Sequence, residues 1–174
     1  MSGFFGIAAK EDCVTELFYG VDYHSHLGTK RGGMTVYGEK GFDNAIHNIS
    51  NAPFRTKFEL EADNMKGKYR LGVISDYEPQ PWVLQSHLGS FAIATVGVIN
   101  NVKELLDILY ADGAVHFQEM KGGEVNATEL IGALICKKTR IVEGIRYVQG
   151  LVDGSMSILV MTKDGIYAAR DRMG

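Results

Sequence analysis

Glycine is the feature that most constrains how this chain can fold. It supplies 21 of the 174 residues, well above the ~7% that is usual in soluble proteins, whereas proline supplies only 3. Disordered tails are typically rich in both, but glycine without proline indicates strands, tight turns and close approaches between backbones. A chain of this length forms about one domain and can bury a sizeable core. We therefore expect a single folded domain over residues 1–174.

The charge balance and the cysteines narrow the class of protein. Lys and Arg number 18 against 21 Asp and Glu, giving a net charge of −3, which argues against nucleic acid or an anionic membrane as the main partner. Cys13 and Cys136 are too few for a disulfide framework and have no metal-binding spacing. No stretch reaches the roughly 18 apolar residues of a membrane span, and the N-terminal segment lacks signal-peptide character. We expect a cytoplasmic protein with no metal.

Hydrophobic periodicity predicts an α+β fold. Helical spacing follows Asp12, Asn101, Asn126 and Thr139. Asp12 is the expected N-cap of the first helix, and Asn-x-x-Glu at Asn101 and Asn126 resembles a capping box. Strands are predicted over residues 3–9, 34–37, 42–49, 69–74, 82–84, 90–99, 155–162 and 166–170. Helices grouped between such strands favour packing on largely antiparallel sheets.

Six segments carry a resemblance that covers essentially the whole chain in order. The first, Ser2-Gly-Phe-Phe-Gly-Ile7, resembles the Cys-Gly-x-Phe-Gly-Ile start of class II glutamine amidotransferases. The others are 18–20 with 31–32, 67–72 with 80–81, 91–105, 126–135, and 154–162 with 168–171. Together they are most similar to the glutaminase domain of amidophosphoribosyltransferases. The resemblance implies the N-terminal-nucleophile hydrolase fold, an αββα sandwich of two mainly antiparallel sheets between helical layers.

The resemblance places Ser2 at the nucleophile. In this family an N-terminal cysteine attacks glutamine, and its own free α-amino group serves as the base. A serine hydroxyl is far less acidic than a thiol, and Met1 must be removed before the amine of Ser2 is free. Two interpretations stay open: Ser2 is an active nucleophile, or it is an inert residue at the end of a strand.

The family's other glutamine-site groups are also substituted. Ser75 stands where an arginine holds the α-carboxylate of glutamine, and Ala127 stands where an aspartate binds its α-amino group. Gly97 retains the glycine of the oxyanion hole, but Val96 replaces its asparagine. Losing one such donor costs on the order of 10²–10³ in rate. Because the framework is kept while the polar groups are lost, we expect no ordinary glutaminase activity.

Two polar segments each allow two interpretations. Arg31, in a loop that the resemblance places near the glutamine site, either holds a small anion with its neighbour Lys30 or has a structural role. His24 and His26 form a His-x-His pair that either contributes metal ligands or is solvated in a loop.

Three functions follow. The first is a degenerate glutaminase-like domain in a protein of purine biosynthesis, retained for structure, regulation or assembly, needing no cofactor itself and preceding a C-terminal phosphoribosyltransferase-like domain. The resemblance implies that domain because Gly174 falls within a motif that continues in relatives. The second is an active N-terminal-serine amidohydrolase that uses Ser2 on an amide other than glutamine. The third is an interaction module that assembles subunits, such as a homo-oligomer.

Overall fold

The computed structural model describes residues 2–111, 113, 115–118 and 123–171. Met1 and Gly174, which enter the predictions from the sequence, lie outside these residues. The strands are β1 (Ser2–Ala8), β2 (Arg31–Gly38), β3 (Gly41–Asn48), β4 (Tyr69–Ser75), β5 (Trp82–Ser86), β6 (Gly89–Ile99), β7 (Gly154–Thr162) and β8 (Gly165–Arg170). The helices are α1 (Val14–Tyr23), a short 3₁₀ turn (Ser25–Leu27), α2 (Phe54–Asn64), α3 (Val102–Tyr110), α4 (Ala127–Ile135) and α5 (Ile141–Leu151).

The strands form two four-stranded antiparallel sheets. The first has the order β1-β4-β2-β3 and the second the order β5-β6-β7-β8. The predicted hairpin at Lys163-Asp-Gly165 is confirmed, and Gly165 has a φ of +146°, a conformation that side chains other than glycine rarely adopt.

The core has three parts stacked in one direction. Helices α1 and α2 pack on the outer face of the first sheet through residues such as Leu17, Phe54 and Phe58. The facing sides of the two sheets bury a second cluster that includes Leu71 and Leu159. Helices α3, α4 and α5 cover the outer face of the second sheet. This arrangement of helices, sheet, sheet and helices confirms the predicted αββα sandwich.

The start of α1 differs from the sequence prediction. The N-cap is Cys13, which makes no side-chain capping bond. The Asp12 carboxylate instead accepts a hydrogen bond from the Gly67 amide at 3.0 Å and pairs with the guanidinium of the fully buried Arg70. A buried charge needs a partner, so Arg70 draws Asp12 away from the helix end.

The two Asn-x-x-Glu patterns also behave differently. Asn126 caps α4, since its Oδ1 accepts hydrogen bonds from the amides of Thr128 and Glu129 at 2.9 and 3.1 Å. Asn101 precedes α3 but makes no capping bond. Its side chain joins the end of α5 to the following loop, because it accepts from the Asp153 amide and donates to the Leu151 carbonyl, both at 2.9 Å.

Candidate functional site

Three predicted site residues form a row across the first sheet. Ser75 ends β4, and its Cα lies opposite Ser2 of β1 on one side and Arg31 of β2 on the other. Directly opposed residues share a face of a sheet. Leu71 and Val73 show which face this is, because they precede Ser75 by even steps and pack against the second sheet. The row therefore faces the second sheet at one end of the sandwich.

A cavity of about 290 Å³ lies at this end. It is lined by five of the six predicted site residues: Ser2, Ser75, Val96, Gly97 and Ala127. Arg31 lies beside Ser75 in the sheet but is not part of the lining. Positions that are far apart in the sequence are thus brought to one place by β1, β4, β6 and the start of α4.

Among the described residues, the Ser2 side chain has one hydrogen bond in this cavity, and it is weak. Its Oγ donates a hydrogen bond to the Oγ of Ser75 at 3.4 Å, at the long limit for such a bond. Ser75 is buried, and its Oγ also accepts a hydrogen bond from the Tyr77 amide at 3.1 Å. A serine hydroxyl is no base at neutral pH, so this contact does not activate Ser2 as a nucleophile.

Strand β6 supplies the wall where the family has its oxyanion hole. Both backbone groups of Thr95 bond to the Gln80 side chain, its amide to Oε1 at 2.9 Å and its carbonyl to Nε2 at 3.0 Å. Backbone groups alternate between the edges of a strand, so the amide of Gly97 faces the same edge as that of Thr95. Val96, between them, contributes no side-chain donor. The Gly97 amide is therefore the one of the two implied oxyanion groups that this chain retains, and its role stays a prediction.

Gly97 is also required for packing. A Cβ at this position would lie 2.0 Å from the carbonyl oxygen of Ser155 on β7. Its retention is thus explained by the close approach of two backbones, whether or not the site is active.

The structure adds one residue that the sequence analysis missed. Glu78 lines the cavity, and its Oε2 accepts a hydrogen bond from the Ala127 amide at 2.7 Å. Its Oε1 accepts from the amide and the hydroxyl of Thr128 at 3.2 and 2.7 Å. Ala127 therefore does have a carboxylate beside it, although not from its own position. Burial raises the pKa of the Glu78 carboxyl above its usual range, and the hydrogen bonds from Thr128 and Ala127 oppose that rise.

A buried polar network holds the segment from Glu78 to Gln80 against α4 and β6. The hydroxyls of Thr95 and Thr128 lie 2.6 Å apart, and that of Thr128 is also 3.2 Å from Gln80 Oε1. Asn126 Nδ2 donates to the Pro79 carbonyl at 3.0 Å. These bonds fix the cavity wall that carries Glu78.

The charges around the cavity do not suit a carboxylate ligand. Among the described residues that line it, Glu78 is the sole carboxylate and none is Lys, Arg or His. The N-terminal amides of α4, which can attract an anion, already bond to Glu78 and Asn126. Asp76, next to Ser75, accepts hydrogen bonds from the amide and hydroxyl of Thr29.

The remaining candidates lie elsewhere. His26 Nδ1 is 2.9 Å from the Tyr23 carbonyl oxygen, at the end of α1. In the part of the chain that the structure describes, no group of three or more His, Cys, Asp or Glu is placed to hold a metal ion. Over the same residues, no helix is long and apolar enough to cross a membrane.

Sequence comparison finds relatives along the whole chain. No protein-family model matches it. It is 28% identical over 186 residues to the amidophosphoribosyltransferase of Methanocaldococcus jannaschii, which covers 100% of the chain. It is 26% identical over 181 residues to the amidophosphoribosyltransferase of Synechocystis sp., with 99% of the chain covered. The chain spans only 38% and 36% of the length of these two relatives.

Structure comparison finds the same fold in solved enzymes. The glutamine phosphoribosylpyrophosphate (PRPP) amidotransferase from B. subtilis, complexed with ADP and GMP, matches 98% of this chain with a TM-score of 0.82 and 21% identity, over 37% of its own length. A structure described as the allosteric regulatory enzyme of purine biosynthesis matches 100% of the chain with a TM-score of 0.84 and 22% identity, over 38% of its length. The predicted resemblance is thus confirmed: this chain is similar along its whole length to amidophosphoribosyltransferases and has the N-terminal-nucleophile hydrolase fold found in such enzymes.

Proposed function

We propose that this chain is a glutaminase-like domain that does not hydrolyse glutamine and is retained for structure, regulation or assembly in an amidophosphoribosyltransferase-like protein of purine biosynthesis. The observation that carries the proposal is the cavity itself. It is lined by five residues at positions that the resemblance assigns to the family's site, but no cationic side chain is found among its described lining residues and Val96 offers no oxyanion donor. The α-carboxylate of glutamine would have no cationic side chain to pair with among the described lining residues, and the Glu78 carboxylate could attract only the α-ammonium group.

The proposal includes the organisation of the whole protein. The relatives are more than twice as long as this chain and carry the name phosphoribosyltransferase. We propose that residues 1–174 form one domain, that a phosphoribosyltransferase-like domain follows it, and that no cofactor binds to the glutaminase-like part. The reading frame beyond Gly174 tests the second point, and the mass of the protein in solution tests whether it assembles as a homo-oligomer.

A glutaminase assay tests the loss of activity. The chain is incubated with L-glutamine and glutamate release is measured, with the B. subtilis glutamine PRPP amidotransferase as the positive control. Intact mass establishes in the same samples whether Met1 has been removed. We expect no release above that of a Ser2→Ala variant. Release that depends on Ser2 and approaches that of the control enzyme would contradict the proposal.

A second candidate function is hydrolysis of an amide other than glutamine by Ser2. It is favoured by the Ser2 hydroxyl lining the same cavity as Gly97, whose amide faces the open edge of β6. None of the described lining residues has a cationic side chain to pair with a substrate carboxylate. The favoured substrates are therefore small primary amides without a carboxylate, such as butyramide. Ammonia release from butyramide by the Met1-free chain, lost in Ser2→Ala, supports this candidate; equal background in both proteins rejects it.

A further inference from the structure

A second and larger cavity opens at the opposite end of the sandwich. Strand β2 runs from the candidate site to this cleft, and β6 runs from the cleft back to the candidate site. The cleft has a volume of about 710 Å³, within the usual range for small-molecule sites. Three hairpin turns and the first residues of α5 surround it, and both sheets contribute to its lining.

Positive charge is concentrated in this cleft. Lys40 comes from the β2–β3 turn, Lys163 from the β7–β8 turn, and Arg140 immediately precedes α5. None of the three forms an ion pair with another described residue. Asp164 is the single carboxylate among the described lining residues. This local excess of cations contrasts with the net charge of −3 for the whole chain, so the cleft favours anionic ligands.

Aromatic rings and hydroxyls complete the lining. Tyr37 and Phe42 meet edge to face with their ring centroids 4.9 Å apart, and Tyr167, which is 36% exposed, comes from the second sheet. The Ser90 hydroxyl adds a hydrogen-bonding group to the lining, whereas the Thr162 hydroxyl already donates to the Gly165 carbonyl at 3.3 Å and accepts from the Asp164 amide at 3.2 Å. Rings and cations that line one cleft suit a ligand that has a flat apolar body and an anionic end.

We propose that this cleft binds a small phosphate monoester whose ring lies against Tyr37 and Tyr167 and whose phosphate is held by Lys40, Arg140 and Lys163. A phosphate presents several oxygens to cations that belong to three separate segments, whereas a single carboxylate presents two. The bounded volume and the net negative charge of the chain favour a small molecule over nucleic acid. The site shares no lining residue with the candidate active site, so it does not depend on the proposed loss of glutaminase activity.

Calorimetric titration with phenyl phosphate tests the proposal directly. Phenol and inorganic phosphate serve as the two halves of the probe. We expect saturable binding of phenyl phosphate that weakens as salt is added, with each half binding at least about ten-fold more weakly. Each of Lys40→Ala, Arg140→Ala and Lys163→Ala weakens binding about three-fold, and the triple variant weakens it about 30-fold. Lys103→Ala, an exposed cation on α3, is the matched control and leaves binding unchanged.

Three results of these titrations would overturn the proposal. Lack of saturable binding up to about 10 mM phenyl phosphate, or equal binding by the chain and the triple variant, would overturn the proposal. Tighter binding of a single-stranded RNA than of phenyl phosphate would also overturn it, in favour of a nucleic-acid surface. The three substituted side chains are exposed, and circular dichroism checks that the variants fold. Lys163→Arg keeps the positive charge and is expected to retain binding. Weaker binding by Lys163→Ala but not by Lys163→Arg would therefore reflect the lost charge and not a change in structure.

Discussion

Glu78 Oε2 accepts a hydrogen bond from the Ala127 amide at 2.7 Å, across 49 positions of sequence. This bond joins the segment after β4 to the first turn of α4 and places a carboxylate in the cavity wall. The same contact occupies the Ala127 amide, which would otherwise be available to an anionic ligand. The start of α4 is thus both structurally complete and electrostatically unsuited to the carboxylate of glutamine.

Glu78 predicts a specific dependence of stability on pH. Its pKa is raised in the folded protein, mainly by burial, so the folded state holds the proton more tightly than the unfolded state does. The contribution of Glu78 to the free energy of unfolding is therefore largest below the pKa of the unfolded chain and is lost as pH rises through the folded pKa. Relative to Glu78→Gln, which cannot ionise, the parent chain is expected to lose stability as the pH is raised from about 4, near the ordinary pKa of glutamate, through the higher pKa of the folded state.

Urea unfolding of both proteins across this pH range measures the difference. Glu11→Gln, at an exposed carboxylate, controls for the loss of a charge in general. A difference between the parent and Glu78→Gln that stays constant with pH would contradict the assigned role of Glu78.

Gly97→Ala is expected to destabilise the fold. The added methyl would lie 2.0 Å from the Ser155 carbonyl oxygen, and a strand backbone in the middle of a sheet cannot move far to relieve that contact. The expected loss is about 1–3 kcal/mol in the free energy of unfolding. Val98→Ala, one residue along and 64% exposed, is the control and should cost less than about 0.5 kcal/mol. Equal stability of Gly97→Ala and the parent would mean that packing does not explain this glycine.

Asp12→Ala is expected to act through Arg70 and not through the end of α1. Arg70 is fully buried, whereas the side chain of Asp12 is 56% exposed, so water compensates for part of the lost ion pair. We expect a loss of about 2 kcal/mol. In an Arg70→Met background the same substitution should cost much less, because the charge that Asp12 neutralises is gone. A similar loss of stability in both backgrounds would indicate that Asp12 acts by capping α1. Asp63→Ala, at an exposed residue of α2, controls for the loss of a negative charge.

Hydrophobic patterns predicted the α+β class and the resemblance implied the αββα sandwich, but neither identified the side-chain partners. Alternating and helical hydrophobic patterns predicted most strands and helices, because burial of one face dominates their formation. The two Asn-x-x-Glu patterns show the limit. Asn126 caps its helix, whereas Asn101 bonds to Leu151 and Asp153. Local spacing is the same in both, and the deciding partners of Asn101 lie about 50 residues away.

The residues of the candidate site show the same limit of sequence-based prediction. Ser2, Ser75, Val96, Gly97 and Ala127 were found through a resemblance that spans the chain, and they line one cavity. Glu78 was not, because it lies in a loop and its partners on α4 follow 49 and 50 positions later. To predict the role of Glu78, one would need to know which distant elements contact each other. The hydrophobic periodicity of a single sequence does not contain that information.

Ser75→Arg is expected to make the cavity receptive to glutamine. Ser75 is buried in the cavity wall opposite Ser2, and a guanidinium at this position would be the first cation among the described lining residues. A charged hydrogen bond to a carboxylate contributes about 1.5–3 kcal/mol, so we expect at least about ten-fold tighter binding of L-glutamine, measured by calorimetric titration. Butyramide, which shares the amide but lacks the carboxylate, is the control ligand and should bind the variant and the parent equally. Unchanged glutamine affinity in a folded variant would contradict this prediction. The double variant Ser75→Arg, Glu78→Gln then tests whether Glu78 neutralises the new charge, because removing the carboxylate would free the guanidinium for the ligand.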